Sequence, residues 1–288
     1  MNGKKTALIT GAGSGIGLAL TRRLLSENWQ VVGLNRSAFP VEDPILQVAA
    51  RERRLREYRA DLADFRQLKQ ALDLILAQES RLDLMFNNAG GSLPELRYSP
   101  QGRELHYELQ TVAPYLIMME LKGLLERGEH RKVVNTSTNA FAGLNHFNSR
   151  TLERPDSFRK LFGPYAATKL ALSLWTQEAG LRLFTQDGIT VLSVDPGGNN
   201  TINPKNRAGL PFLLRPVMKL LFPAPSKGAG LLYDAALGRQ DSVPSGSYLT
   251  KGKPSPLKFA EQGAEVLARV DEIYRKEYKL SLFPGSDK

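Results

Sequence analysis

TALITGAGSGIGLALTRRLL, residues 6–25, decides the fold. Five residues rich in β-branched and apolar side chains, Thr6 to Thr10, stop at a glycine-rich turn, and Leu18, Leu20, Leu24 and Leu25 then follow at helical spacing. In a strand–turn–helix unit of this kind, Gly11, Gly15 and Gly17 stand where the backbone turns tightly and comes close to a ligand. The positive end of the helix that follows faces a pyrophosphate, so Ser14 and Ile16 join the three glycines as candidate cofactor-binding residues. A purely structural turn is the alternative, and the strand before it and the helix after it weigh against that.

Outward from this unit the chain repeats the same grammar. WQVVGLN (29–35), LREYRADL (55–62), LDLMFNNAG (82–90), KVVNTS (132–137) and ITVLSVDPG (189–197) are short apolar or β-branched runs. Gly17–Ser26, Phe65–Gln78, Glu104–Leu125 and Tyr165–Thr185 carry helical spacing between them. Strands alternating with helices predict βαβ units, hence an α/β fold: a parallel sheet with helices on both faces and ligands beyond the carboxyl ends of its strands. The segment AEQGAEVLARVDEIYRKEYKL near the end reads as an amphipathic helix that caps the fold. No repeat or linker divides residues 1–288, and one domain is expected.

Composition narrows the chemistry. The 288 residues are 42% hydrophobic and contain no cysteine, which excludes a disulfide framework and a thiolate nucleophile; His106, His130 and His146 offer no close pairing for a metal. The net charge of +10 is spread along the chain, and its densest run, RERRLREYR (51–59), is interleaved with glutamate. That pattern reads as a solvated face and not as a nucleic-acid site. The apolar stretch at the N-terminus breaks at Thr10-Gly11, too short for a signal peptide core or a membrane span, so a cytoplasmic location is expected.

The end of the second strand should read the ribose. A carboxylate there would bond the 2′-hydroxyl of NAD, whereas GLNRS (33–37) supplies Asn35 and Arg36. Arg36 is suited to the extra phosphate of NADP, so NADP(H) is the preferred cofactor, with NAD(H) as the second choice and a solvent-facing arginine as the bland reading.

TGAGSGIG (10–17), DL (61–62), NNAG (87–90), YAATK (165–169) and DPG (195–197) occur in the order and spacing of the short-chain dehydrogenase/reductase family, which this chain resembles over nearly its whole length. The resemblance implies a doubly wound, Rossmann-type sheet of about seven parallel strands, a nicotinamide cofactor and hydride transfer between it and an alcohol or carbonyl. It implies that Asp61 and Leu62 lie near the adenine, that Asn88, Ala89 and Gly90 line the cleft, and that Pro196, Gly197 and Thr201 bracket the nicotinamide.

Reducing a carbonyl takes a hydride at carbon and a proton at oxygen, so a general acid must reach that oxygen. Tyr165 and Lys169 share a helix face, and the lysine charge beside the phenol would lower its pKa toward working pH. In the family the same lysine also holds the nicotinamide ribose. The family's serine, typically the second of an N-x-S-S run, falls here on Thr138 of NTST (135–138), with Ser137 as the alternative. The helical asparagine that holds a relay water is replaced by Gln110.

The stretch between Thr138 and Tyr165, with its insert at 139–164, is longer than usual and resembles the retinol-dehydrogenase-like branch, as do PSKGAGLLYDAAL (225–237) and GSYL (246–249). Phe141, Phe147, Phe158 and Phe162 either wall an apolar pocket or only pack the insert to the body. Residues 199–228 read as a substrate lid, and the apolar, basic-edged 209–228 as a second-choice peripheral membrane contact. The resemblance suggests a homodimer or homotetramer through the helices beginning near Glu104 and Tyr165. The expected function is an NADP(H)-dependent oxidoreductase acting on a small-to-medium apolar carbonyl or alcohol. Because Thr138 and Gln110 depart from the family pattern, an NADP(H)-binding redox sensor with little turnover is the alternative.

Overall fold

TALIT, VVGLN and LMFN are nearly continuous apolar runs because both faces of their strands are covered, and they sit at the centre of the sheet. The computed structural model describes residues 5–198, 224–238 and 243–279. Its strands are β1 (Thr6–Thr10), β2 (Gln30–Asn35), β3 (Leu55–Arg59), β4 (Leu84–Asn87), β5 (Lys132–Thr136), β6 (Thr190–Asp195), β7 (Tyr248–Thr250) and β8 (Lys253–Pro254). They form one sheet in the order β3-β2-β1-β4-β5-β6-β7-β8. The first seven run parallel, and β8 adds a short antiparallel edge that the sequence did not announce. Pro254 is tolerated there because an edge strand can lack a donor.

Helices cover both faces. On one side lie α1 (Gly15–Ser26), α2 (Pro44–Arg51) and, later in the chain, α8 (Pro225–Leu237); Leu20, Leu24 and Leu25 of α1 and Ala229 and Leu232 of α8 share an apolar cluster with Ile9 and Phe86 of the sheet. On the other lie α3 (Phe65–Gln78), the broken helix α4 (Leu105–Tyr107), α5 (Ala113–Glu120) and α6 (Lys122–Glu126), then α7 (Pro164–Asp187) and α9 (Gly263–Glu272), around a second core that includes Trp175, Tyr115 and Leu116. Chemistry at the termini sets the boundaries. Asp64 caps α3 by accepting from the Arg66 and Gln67 amides, Pro164 takes the first turn of α7, and Gly188 ends it at φ +67°.

Two differences from the sequence reading have local causes. The helix expected over Glu104–Leu125 passes through a π-helical turn at Glu108–Val112 between α4 and α5. Pro114 lacks the N–H that the Gln110 carbonyl would accept in an α-helix, which favours the wider turn. The C-terminal segment is helical as expected, with a π-helical end at Ile273–Tyr278, and its Val266, Val270 and Ile273 pack on the second core.

Of the basic run 51–59, Arg56 is ion-paired to Glu79 at 2.5 Å and Arg54 to Glu52 at 2.6 Å, while Arg51, Arg53 and Arg59 are exposed. Among the described residues no helix is long and apolar enough to cross a membrane. Most of the stretch read as a lid, together with Thr201, lies outside the described residues; Pro225–Gly228 begin α8, which packs against α1.

Candidate active site

The strand order reverses between β1 and β4, and the crevice beyond their carboxyl ends is where this topology leaves room for a ligand. The Thr10 hydroxyl accepts from the amides of Asn88 (3.0 Å) and Ala89 (2.9 Å), and Asn88 Nδ2 donates to the Thr10 carbonyl at 3.1 Å. These bonds stop β4 at Asn87 and bind NNAG to the glycine turn. Gly11 has φ +67° and Gly15 φ +53°. A Cβ at Gly17 would sit 2.1 Å from the Gly11 carbonyl oxygen, so the helix can pack this close to the turn only without a side chain there.

Asn35 is turned inward: it is 3% exposed, and its Oδ1 accepts from the Ala12 amide at 2.7 Å, bracing the glycine turn from β2. Arg36, one residue on, is exposed with no ion pair among the described residues. The N-terminus of α1 has no acidic residue in its first turn, and Ser14 caps it without a side-chain hydrogen bond. Asp61 Oδ1 accepts from the Ala63 amide, and Leu62 is buried. This arrangement fits a dinucleotide: positive-φ glycines, a free helix N-terminus for a pyrophosphate, and a basic residue at the ribose end.

The chemical end of the cleft lies where β5 and α7 meet. Ser137 and Thr138 follow β5, and their hydroxyls diverge. Ser137 Oγ is buried against Ser173 Oγ at 2.7 Å and the Lys169 carbonyl at 3.4 Å. The Thr138 hydroxyl accepts from the Ala140 amide at 3.2 Å and lies near enough to the Tyr165 phenol to draw its pKa down. Lys169 is 4% exposed, and its Nζ donates to the Thr136 carbonyl at 2.6 Å. Burial pulls its pKa down to about 7.

Burial pushes the Tyr165 phenol above its ordinary value, opposed by Thr138 and reinforced by the charge of Asp195. The direction is opposite to the one expected from a lysine beside the phenol. Lys169 is turned onto the Thr136 carbonyl, and its own charge is weakened by the same burial.

Gln110 is fully buried in the π-helical turn: Oε1 accepts from the Gly91 amide at 3.2 Å, and the buried Nε2 has no hydrogen-bond partner among the described residues. A Cβ at Gly90 would meet that Oε1 at 2.7 Å. Asp195 accepts from the Gly197 amide at 3.0 Å, and a Cβ at Gly197, which has φ +73°, would meet no atom of the described residues within 4 Å; Pro196 lies between them, buried. The insert divides its phenylalanines. Phe141 packs on Tyr248 at 5.1 Å and Phe147 on Phe259 at 5.9 Å, whereas Phe162 is exposed. Phe158 lies 6.5 Å from the ring of His106, which in turn stands edge-on to Tyr165 at 6.0 Å.

His106 is a residue of this site that motif reading missed. Only its place in Glu104-x-His106 at a helix start marks it, and nothing in the sequence brings it to a tyrosine 59 positions away.

Comparison with known proteins agrees with this geometry. Residues 5–152, just over half of the chain, match the short chain dehydrogenase family model. A short-chain dehydrogenase/reductase of Pestalotiopsis fici is 30% identical over 210 residues, 68% of this chain and 64% of that protein, so the chain spans just under two thirds of that relative's length. Retinol dehydrogenase 14 of Mus musculus is 29% identical over 93% of this chain and 85% of its own length. In structure, a short-chain oxidoreductase from Brucella ovis, solved with a partially ordered NAD, superposes with a TM-score of 0.57 at 24% identity, covering 86% of this chain and 99% of that one. With its glycine turn, its tyrosine and lysine on α7 and this match, the chain belongs to the short-chain dehydrogenase/reductase family.

Proposed function

We propose that this protein is an NADP(H)-dependent oxidoreductase that reduces a small-to-medium apolar carbonyl, with Tyr165 as the general acid. The observation that carries this reading is that Tyr165 and Lys169 stand one turn apart on α7, with Thr138 near the phenol. When bound, the nicotinamide cofactor would supply the hydride. Gly11, Ser14, Gly15, Ile16 and Gly17 would hold its pyrophosphate end, Arg36 the 2′-phosphate, Asp61 and Leu62 the adenine, and Asn88, Ala89, Gly90, Pro196 and Gly197 the walls of the cleft. Thr201 is carried over from the family pattern, outside the described residues.

Thr138 would donate to the substrate oxygen, and Tyr165 would hand that oxygen its proton. A phenol held above its ordinary value is protonated at neutral pH, the state from which it would give a proton to a carbonyl oxygen. Lys169, with a pKa near 7, would refill the phenol's proton and hold the ribose hydroxyls. The buried Gln110 Nε2 gives the relay a donor where the family has an asparagine. Phe158 supports an apolar substrate, because it stands next to the ring that borders Tyr165. The similarity to retinol dehydrogenases points the same way.

The test is NADPH oxidation across a panel of aliphatic and aromatic aldehydes and ketones, comparing wild type with Tyr165→Phe. Removing the general acid should lower kcat by about 10²–10⁴-fold while NADPH still binds. Tight NADPH binding without turnover of any carbonyl would instead favour the redox-sensing alternative.

A further inference from the structure

Glu104 and His106 are both buried, and their contacts converge on the site from three directions. His106 Nε2 accepts from the Leu93 amide at 2.9 Å. An amide N–H can only donate, so Nε2 carries no proton and the ring's proton sits on Nδ1, 2.6 Å from Glu104 Oε1. The other carboxylate oxygen accepts from the Tyr107 amide at 2.9 Å, and the Glu104 amide donates to the Glu153 carbonyl of the insert at 2.9 Å. The imidazole ring then stands edge-on to Tyr165 on one side and nearly parallel to Phe158, at 24°, on the other.

We propose that the Glu104–His106 pair is a positioning device: it fixes one imidazole tautomer and so ties the loop after β4 and the insert to the ring of the catalytic tyrosine. This inference rests on the reading of Tyr165 as the general acid. The wiring needs a carboxylate at 104 and not merely a polar group. A glutamine offers one acceptor and one donor. If its oxygen faces the Tyr107 amide, its NH₂ meets His106 Nδ1 and moves the imidazole proton to Nε2, against the Leu93 amide. If its oxygen faces His106, its NH₂ meets the Tyr107 amide. Either way one donor is set against another in a buried place. Glu104→Gln therefore changes the hydrogen-bond logic at almost no change in shape.

The experiment uses the full chain labelled with ¹⁵N-histidine and ¹⁵N-leucine, together with steady-state kinetics. Wild type should show His106 as the Nδ1–H tautomer, resolved from the only other histidines, His130 and His146. Glu104→Gln should shift that tautomer or displace the Leu93 amide resonance. It should also lower kcat for carbonyl reduction by about 10–100-fold, the cost of a misplaced catalytic group, with NADPH affinity unchanged. His106→Phe should match that loss, and the double variant should lose no more than His106→Phe alone.

Should Glu104→Gln not fold, His106→Asn carries the same test, since it keeps a donor toward Glu104 and loses the acceptor for Leu93; its kcat should fall likewise. An Nε2–H tautomer in wild type, or wild-type kcat in Glu104→Gln or His106→Asn, would overturn the proposal. A wild-type protein that reduces no carbonyl would sink the reductase reading alone, because the tautomer and the Leu93 resonance decide the wiring without turnover.

Discussion

Thr138 lies near enough to the Tyr165 phenol to draw its pKa down, while the hydroxyl of Ser137 is spent on Ser173 and the Lys169 carbonyl. Thr138→Ser should therefore keep activity, Thr138→Ala should lower kcat by about 10²–10³-fold, and Ser137→Ala should leave kcat near wild type; steady-state kinetics on the three variants decides. Lys169 gives a stability prediction with a definite sign. Its folded pKa near 7 lies below its ordinary 10.5, so between these values the unfolded chain binds more protons and stability rises with pH. This contribution is complete above about pH 10.5 and is lost as the pH falls to 7. Lys169→Met removes the buried ammonium, so its melting temperature should depend less on pH across that window than wild type's, as thermal unfolding at several pH values would show. Tyr165 and Lys169 could be read directly because one helical turn links them. The choice between Thr138 and Ser137 could not, because adjacent residues leaving a strand point opposite ways and the sequence does not fix where the strand ends. Asn35 was legible as a residue of the cofactor turn, but its inward bond to Ala12 depends on the packing of β2 beside β1.

At the scale of elements, the glycine turn is the feature most completely written in the sequence. Gly17→Ala would drive a methyl into the Gly11 carbonyl oxygen 2.1 Å away and toward Asn88 Nδ2 at 2.7 Å. It should cost at least about 1–3 kcal/mol of stability and weaken NADPH binding more than stability, since the turn would shift out of its ligand-binding shape. Denaturant unfolding paired with cofactor titration measures both. The helix after β4 was legible in extent but not in form. Its π-helical turn comes from Pro114, and it brings Gln110 under Gly90 and Gly91. The C-terminal helix was legible from its apolar spacing, yet its place was not. Tyr115 donates to Asp271 at 2.8 Å, Tyr274 to Glu120 at 2.8 Å, and Arg103 pairs with Glu277, all contacts between residues far apart in the chain.

For the whole molecule, that placement bears on assembly. Residues 263–278 lie across α5 and α7, the surface through which the family resemblance suggests a dimer. α7 leaves Leu181 and Phe184 exposed. A dimer through α5 and α7 would have to displace this segment or use a different face, and light scattering of the full chain measures whether one forms. The same segment pins the insert through Arg269, which holds Glu153 at 2.6 Å, and just before it Lys258 donates to the Ala142 and Leu144 carbonyls. The alternation of strands and helices made the parallel sheet legible, whereas β8 is a two-residue hairpin edge too short to mark itself, and the stitching of the insert rests on contacts across more than a hundred residues. The central claim is that Tyr165 protonates a carbonyl while NADPH is oxidised, and single-turnover NADPH oxidation by wild type and Tyr165→Phe tests it most directly. The account predicts a rapid decay in wild type with an apolar aldehyde and a decay slower by about 10²–10⁴-fold in the variant at equal NADPH occupancy. Equal rates in the two proteins would contradict it.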